Sequence, residues 1–150
     1  MAKSIALRQG TLADYTFALA VYLSTMRPYT EELMIWNEQR QIASFARQWK
    51  LEDVRIICVD GSDVGWLQAE ETPSEIVLHQ LFVAPVHQRV GIGTEVLASL
   101  LASWGPIAKP IVLTVLKNNP ARRLYERFGF HVVGEVGVKL QMRARLITCL

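Results

Sequence analysis

The stretch that most constrains this chain is Leu78-His-Gln-Leu-Phe-Val-Ala-Pro-Val-His-Gln-Arg-Val-Gly-Ile-Gly-Thr94. An apolar strand breaks at Pro85, and a helix restarts through Gln88-x-x-Gly91-x-Gly93. Glycine lets the main chain approach a ligand closely, and the first amides of a helix have no intrahelical acceptor. Such a turn suits a phosphate or diphosphate. Taken alone, a glycine-rich turn is better explained by the backbone angles it needs. Two common nucleotide motifs are excluded. No lysine follows Gly93, as a Walker loop requires, and a dinucleotide fingerprint needs a small residue where Val96 stands and an acid near Leu113 and Thr114.

At 150 residues the chain is expected to form one domain spanning residues 1–150. Sixteen basic against fourteen acidic residues leave a net charge of +2, with no general drive toward nucleic acid or membrane. Anion binding then has to come from local arrangement, and the expected partner is a small molecule. The segment Met1–Gly10 holds no apolar run of secretion-signal length, which predicts a cytoplasmic protein. Gly105, Pro106, Lys109 and Pro110 interrupt the most apolar region, so no membrane-spanning helix is expected. Cys58 and Cys149 are too few and too far apart for a disulfide framework or metal site, and His79, His87 and His131 lack ligand spacing. No metal is expected. The apolar tail Leu146–Leu150 fits a strand edge, a frayed end or a homodimer contact.

Ser4–Arg8 alternates as a strand, and Thr11 with Asp14 reads as the cap of a helix running to about Met26 and ended by Arg27-Pro28. A second helix is predicted from Thr30 to about Gln48, with a break near Asn37. Strands at Val54–Val59 and Val64–Ala69 flank a hairpin turn, Asp60-Gly-Ser-Asp63, and a longer strand covers Glu75–Val83. Ile92–Trp104 is a helix, Ile111–Leu116 a buried strand, and Pro120–Phe128 a short helix opened by Asn119 and closed by Gly129. Phe130–Glu135 and Val138–Leu146 complete the pattern as strands. The order β-α-α-β-β-β-α-β-α-β-β implies a mixed sheet with helices packed on it and a right-handed crossover from Leu78 to Val115. A ligand would bind at the carboxyl end of the strand preceding that helix.

A second motif, Asn119-x-Ala121-x-x-x-Tyr125-x-x-x-Gly129-Phe130, follows the first after one helix and one strand. Together the two motifs resemble the GNAT superfamily of acetyl-CoA-dependent N-acyltransferases. The resemblance is strong over residues 75–135 and extends through element order to nearly the whole chain. It implies an α/β fold of the α+β type: a mixed, mostly antiparallel sheet of about seven strands flanked by about four helices. It also implies acetyl-CoA as donor, an acetyltransferase activity, and a small-molecule or peptide amine as acceptor.

The same resemblance assigns the amides of Gln88, Arg89, Val90, Gly91, Ile92, Gly93 and Thr94 to the pyrophosphate of coenzyme A, aided by the helix dipole. Family members often carry glycine and a basic residue between the glutamine and the first motif glycine, where this chain has Arg89 and Val90. Leu81, Phe82 and Val83 would run beside the pantetheine arm, with the Val83 amide polarising the thioester carbonyl; ordinary sheet pairing of that amide fits the sequence equally. Asn119 would contact the cofactor or cap the helix, and Ala121 would face the same cofactor; Arg122, Arg123 and Arg127 would meet the nucleotide phosphates or form a solvated helix face. Tyr125, nearly two turns beyond Asn119, is either a core tyrosine or the proton donor to the departing thiolate.

For the base that neutralises the acceptor amine, the strand offers His79, which shares the parity of Leu81 and Val83, with Glu75 as a further candidate. A structural, hydrogen-bonded histidine is the competing reading. The acceptor side is sought in Arg27, Tyr29 and Trp36, where Arg27 suits a carboxylate and the rings an apolar wall; Trp36 also fits a core position. Direct transfer in a ternary complex is expected, since neither cysteine lies in a motif. The competing function is a CoA-binding sensor without turnover. A nucleic-acid module is disfavoured by dispersed basic residues and the absence of an aromatic-and-basic strand motif.

Overall fold

A computed structural model describes residues 4–145. Its strands are β1 Ile5–Gln9, β2 Val54–Val59, β3 Ser62–Glu71, β4 Ile76–Val83, β5 Pro110–Leu116, β6 His131–Val136 and β7 Lys139–Arg145. Its helices are α1 Tyr15–Leu33, α2 Glu38–Gln48, α3 Ile92–Trp104 and α4 Ala121–Arg127. The strands form one sheet in the order β1-β2-β3-β4-β5-β7-β6. β4 and β5 run parallel, Ile76–Leu78 against Ile111–Leu113, while β1–β2, β2–β3, β5–β7 and β6–β7 are antiparallel. This is the mixed, mostly antiparallel sheet with four helices expected from the sequence. The tail Leu146–Leu150, with Cys149 and the last residue of the expected final strand, lies outside the described residues.

The chain divides into two compact units, one holding the residues up to Gln68 with Gln80–Gly93, the other Ala69–His79 with the residues from Thr94 onward. In the first unit, Tyr15, Ala18, Tyr22 and Thr25 recur at helical spacing, and Ala18, Tyr22 and Thr25 are buried. The rings of Tyr15 and Tyr22 meet Phe45 of α2, Trp49 just beyond it, Trp66 of β3 and Phe82 of β4 in a continuous aromatic array. Successive centroids lie 5.2–5.7 Å apart, mostly edge to face. Each such pair contributes about 0.5–1.5 kcal/mol beyond area burial. Gln68, also buried, donates from Nε2 to the Gln48 carbonyl at 2.8 Å and so satisfies one of the last acceptors of α2.

Three local expectations change in this unit. Pro28 does not end α1, which continues to Leu33. A proline inside a helix costs about 3 kcal/mol. The turn beyond it is held by burial of Thr30, by the Met34 amide bonding the Thr30 carbonyl at 2.8 Å, and by an Arg27–Glu31 ion pair spanning the proline. The second helix accordingly starts later, at Glu38, where the Asn37 side chain accepts the Arg40 amide at 3.0 Å. The hairpin turn is shorter than expected. Asp60 and Gly61 alone make it, with φ of 50° and 83°, the left-handed pair a two-residue turn matching the strand twist requires.

At the edge of this unit, Arg8 grips Asp14 through two bonds of 2.9 Å and Asp63 through a third of 2.9 Å, while the Thr11 amide bonds Asp14 at 2.8 Å. The Arg8 guanidinium holds the Asp14 carboxyl down at about 2, below its ordinary 3.8. A depressed carboxyl contributes stability above its unfolded pKa and loses it as pH falls through the folded value. Wild type is therefore expected to lose about 1–2 kcal/mol from this pair between pH 4 and pH 2, after allowance for the half-exposed arginine. Asp14→Asn should flatten that part of a stability-versus-pH curve measured by urea unfolding.

In the second unit, β5 is apolar apart from the exposed Thr114, with Ile111, Leu113, Val115 and Leu116 buried. β7 alternates, placing Leu140, Met142 and Ala144 inward, and Val96, Leu97 and Leu100 form the buried stripe of α3. Among the described residues no helix is long and apolar enough to cross a membrane.

Candidate functional site

β4 ends in a set of backbone groups held in fixed directions. Ala84 donates its amide to the Val64 carbonyl at 2.8 Å, and the Val83 carbonyl accepts Gln88 Nε2 at 2.8 Å. The Gln88 side chain thus ties the loop back to the strand, a role the sequence reading did not assign; its own amide bonds the Pro85 carbonyl at 3.3 Å. Phe82 is buried in the aromatic array, so it can offer a ligand only backbone, whereas Leu81 and Val83 are half-buried. On β3 a bulge leaves Val64 without a partner residue on β2, since Ile57 opposes Gly65 and Cys58 opposes Asp63.

Beyond Gln88 the chain turns through two left-handed residues, Arg89 at φ 66° and Gly91 at φ 86°, before α3 begins at Ile92. Arg89 takes this conformation without being a glycine, and leaves a cation beside the turn. Arg89, Val90, Gly91 and Thr94 are exposed, and Ile92 is buried, anchoring the start of the helix. A Cβ at Gly91 would meet nothing within 4 Å, so the cost of substituting it is conformational. Gly91→Ala is expected to lose about 1–2 kcal/mol, read by chemical denaturation.

In the second motif, Asn119 caps α4: its Oδ1 accepts the Ala121 amide at 2.9 Å, and its carbonyl accepts the Arg122 amide at 3.1 Å. Gly129, at φ 93°, closes the helix so that the Phe130 amide returns to the Tyr125 carbonyl at 3.1 Å. That closure sets the Phe130 ring edge-on to Tyr125 at 5.7 Å. Tyr125 is 7% exposed, and burial pushes its phenol up to about 12. Arg122 pairs with Glu126 at 3.4 Å on its own helix, while Arg123 and Arg127 face solvent.

His79 is exposed on β4, and its Nε2 lies 2.8 Å from Glu70 Oε1 on β3. Glu70 was not singled out in the sequence, because nothing nine residues away marks it as a strand neighbour. Glu75 closes the β3–β4 turn through its backbone, bonded to Thr72. Arg27 and Trp36 are brought together, the guanidinium carbon 5.5 Å from the ring centre, with Glu31 already paired to Arg27. Trp36 and Tyr29 are half-buried rather than core. Cys58 donates to Asp63 at 3.3 Å, and burial, with that carboxylate, pushes its thiol pKa up. Among the described residues no three histidine, cysteine or acidic side chains gather as metal ligands.

No curated protein sequence matches the chain significantly. Among solved structures, similar folds include the PaiA N-acetyltransferase of Thermoplasma acidophilum in complex with coenzyme A, at 16% identity and TM-score 0.77 over 95% of this chain and 99% of that one. Ard1 of Thermoplasma volcanium is similar at 18% identity and TM-score 0.70, over 99% and 100% of the two chains. The ribosomal-protein-S18-alanine N-acetyltransferase of Escherichia coli is similar at 18% identity and TM-score 0.65, over 99% and 96%. Residues 50–132 match the model of the acetyltransferase (GNAT) domain. That match takes in more than half of the chain, from the residues before β2 into β6, and the protein belongs to the GNAT acetyltransferase family.

Proposed function

We propose that the protein moves the acetyl group of acetyl-CoA directly to a primary amine of a small molecule or peptide, both substrates being bound together. The observation that carries this reading is the turn beyond β4, where left-handed Arg89 and Gly91 leave exposed main chain just ahead of α3. Its geometry fits a diphosphate: the amides from Arg89 to Thr94 supply donors, and Arg89 supplies charge. The backbone of Leu81 to Val83 suits the peptide-like pantetheine arm. The carboxamide nitrogen of Asn119 is the group suited to the cofactor, because its oxygen already caps α4.

When bound, acetyl-CoA supplies an activated thioester to the amine and leaves as coenzyme A. The Val83 amide stabilises charge on the carbonyl oxygen, a kind of contact whose removal typically costs about 2.7–4 kcal/mol of activation. Tyr125 donates a hydrogen bond to the departing sulfur, stabilising the thiolate that leaves. His79, oriented by Glu70, takes the proton from the acceptor amine. Arg27 and Trp36 form the acceptor-facing pair, Arg27 exchanging Glu31 for a substrate carboxylate. Cys58, kept protonated by burial and Asp63, is a poor nucleophile, which favours transfer without an acetyl-enzyme.

Release of free thiol from acetyl-CoA, measured over a panel of amino acids, polyamines and peptides, tests this reading. Acceptor-dependent release is expected. Tight cofactor binding with no release for any acceptor would instead identify a sensor.

A further inference from the structure

At Gly65 the backbone of β3 lies close against that of β4. A Cβ built on Gly65 would stand 2.1 Å from the Phe82 oxygen and 3.0 Å from the Val83 Cα, both main-chain atoms with no freedom to swing aside. The Phe82 carbonyl therefore occupies the space that a side chain at position 65 would fill. The adjoining bulge at Val64 has the matching effect, because its carbonyl receives the Ala84 amide at 2.8 Å.

The Phe82 carbonyl and the Val83 amide belong to one peptide unit. In a trans peptide these two groups point in opposite directions, and no cis peptide occurs among the described residues. A carbonyl pressed onto Gly65 directs the Val83 N–H away from β3. The next unit is locked independently, with the Val83 oxygen on Gln88 and the Ala84 amide on Val64. The 82–83 unit is the one whose tilt depends on the missing side chain.

We infer that Gly65 is a positioning residue for catalysis, its absent side chain setting the tilt of the Phe82–Val83 peptide and so the aim of the Val83 amide at the thioester carbonyl. The inference rests on the acetyltransfer reading above for the role of that amide. A methyl group at Gly65 has to push the Phe82 oxygen outward by roughly 1 Å to reach ordinary contact, and misplacement on that scale costs about 10²-fold in rate.

Gly65→Ala is expected to lower kcat by about 10²-fold. Affinity for coenzyme A, which lacks the thioester carbonyl, should be retained. The carbonyl stretch of isotope-labelled acetyl-CoA, shifted to low frequency on wild type, should return toward its solution value on the variant. An unchanged kcat, or equal losses in turnover and coenzyme A binding, would overturn the assignment. Should Gly65→Ala not fold, amide hydrogen exchange on wild type decides. Rapid exchange at Val83 beside protection at Ala84 supports the tilt, and protection of both refutes it. Absence of thiol release from wild type would sink the acetyltransfer reading alone, while the exchange contrast would still report on the peptide itself.

Discussion

Tyr125→Phe is expected to lower turnover by about 10²-fold while leaving acetyl-CoA affinity close to wild type. The substitution keeps the ring that meets Phe130 at 5.7 Å and fills the same buried volume, so only the hydroxyl is lost. With its pKa raised to about 12, the phenol remains protonated throughout the neutral range. A thiol ordinarily titrates near 8.5, roughly three units lower, so full proton transfer from the resting phenol to free thiolate would be uphill. In the proposed mechanism Tyr125 therefore acts chiefly as a hydrogen-bond donor that strengthens as negative charge grows on sulfur. Such a contact is made in the transition state and not in the ground state, and its loss falls on kcat rather than KM. Steady-state kinetics with thiol detection read the split. Unchanged kcat would remove Tyr125 from this role.

Phe45→Ala is expected to destabilise the protein by about 3–5 kcal/mol. Phe45 is the hub of the aromatic array, with centroids at 5.2 Å from Tyr15, 5.3 Å from Tyr22 and Trp49, and 5.7 Å from Trp66. Four large rings around one deletion cannot all collapse into the cavity, which places the loss in the upper part of the usual range. Against a domain stability of about 5–15 kcal/mol, that is a large fraction. Phe82 is linked to the hub through Tyr22 and Trp66, and the backbone of that residue leads into Val83. The variant should therefore also loosen the end of β4. Urea unfolding gives the stability change. A loss below about 1 kcal/mol would show that the array repacks.

Much of the architecture was legible in short-range pattern. The apolar stripe of α3 and the closure of α4 at Gly129 each depend on residues within a few positions of one another, and each stands where the spacing put it. Pro28 misled for the same reason. Its local preference is to end a helix, yet burial of Thr30 and the Arg27–Glu31 pair outweigh that preference. Asn119 shows a residue filling one of its readings in the fold, since its oxygen caps α4.

The less legible parts join distant positions. His79 acquires Glu70, and six aromatic residues between Tyr15 and Phe82 converge on one cluster from both helices and two strands. An isolated glycine inside a strand pattern is a sign of close backbone approach, and Gly65 carried that sign. Which backbone it meets could not be read until β3 and β4 lay side by side.

Residue spacing along the chain was enough to establish the family motifs and the strand-turn-helix at Gln88–Gly93, because caps, turns and glycine conformations are set by interactions within one or two turns of chain. The partner of His79, the aromatic hub and the tilt of the Phe82–Val83 peptide were decided only by tertiary structure. They depend on side chains and carbonyls that become neighbours after strand pairing, and pairing register is a long-range property that no local pattern specifies.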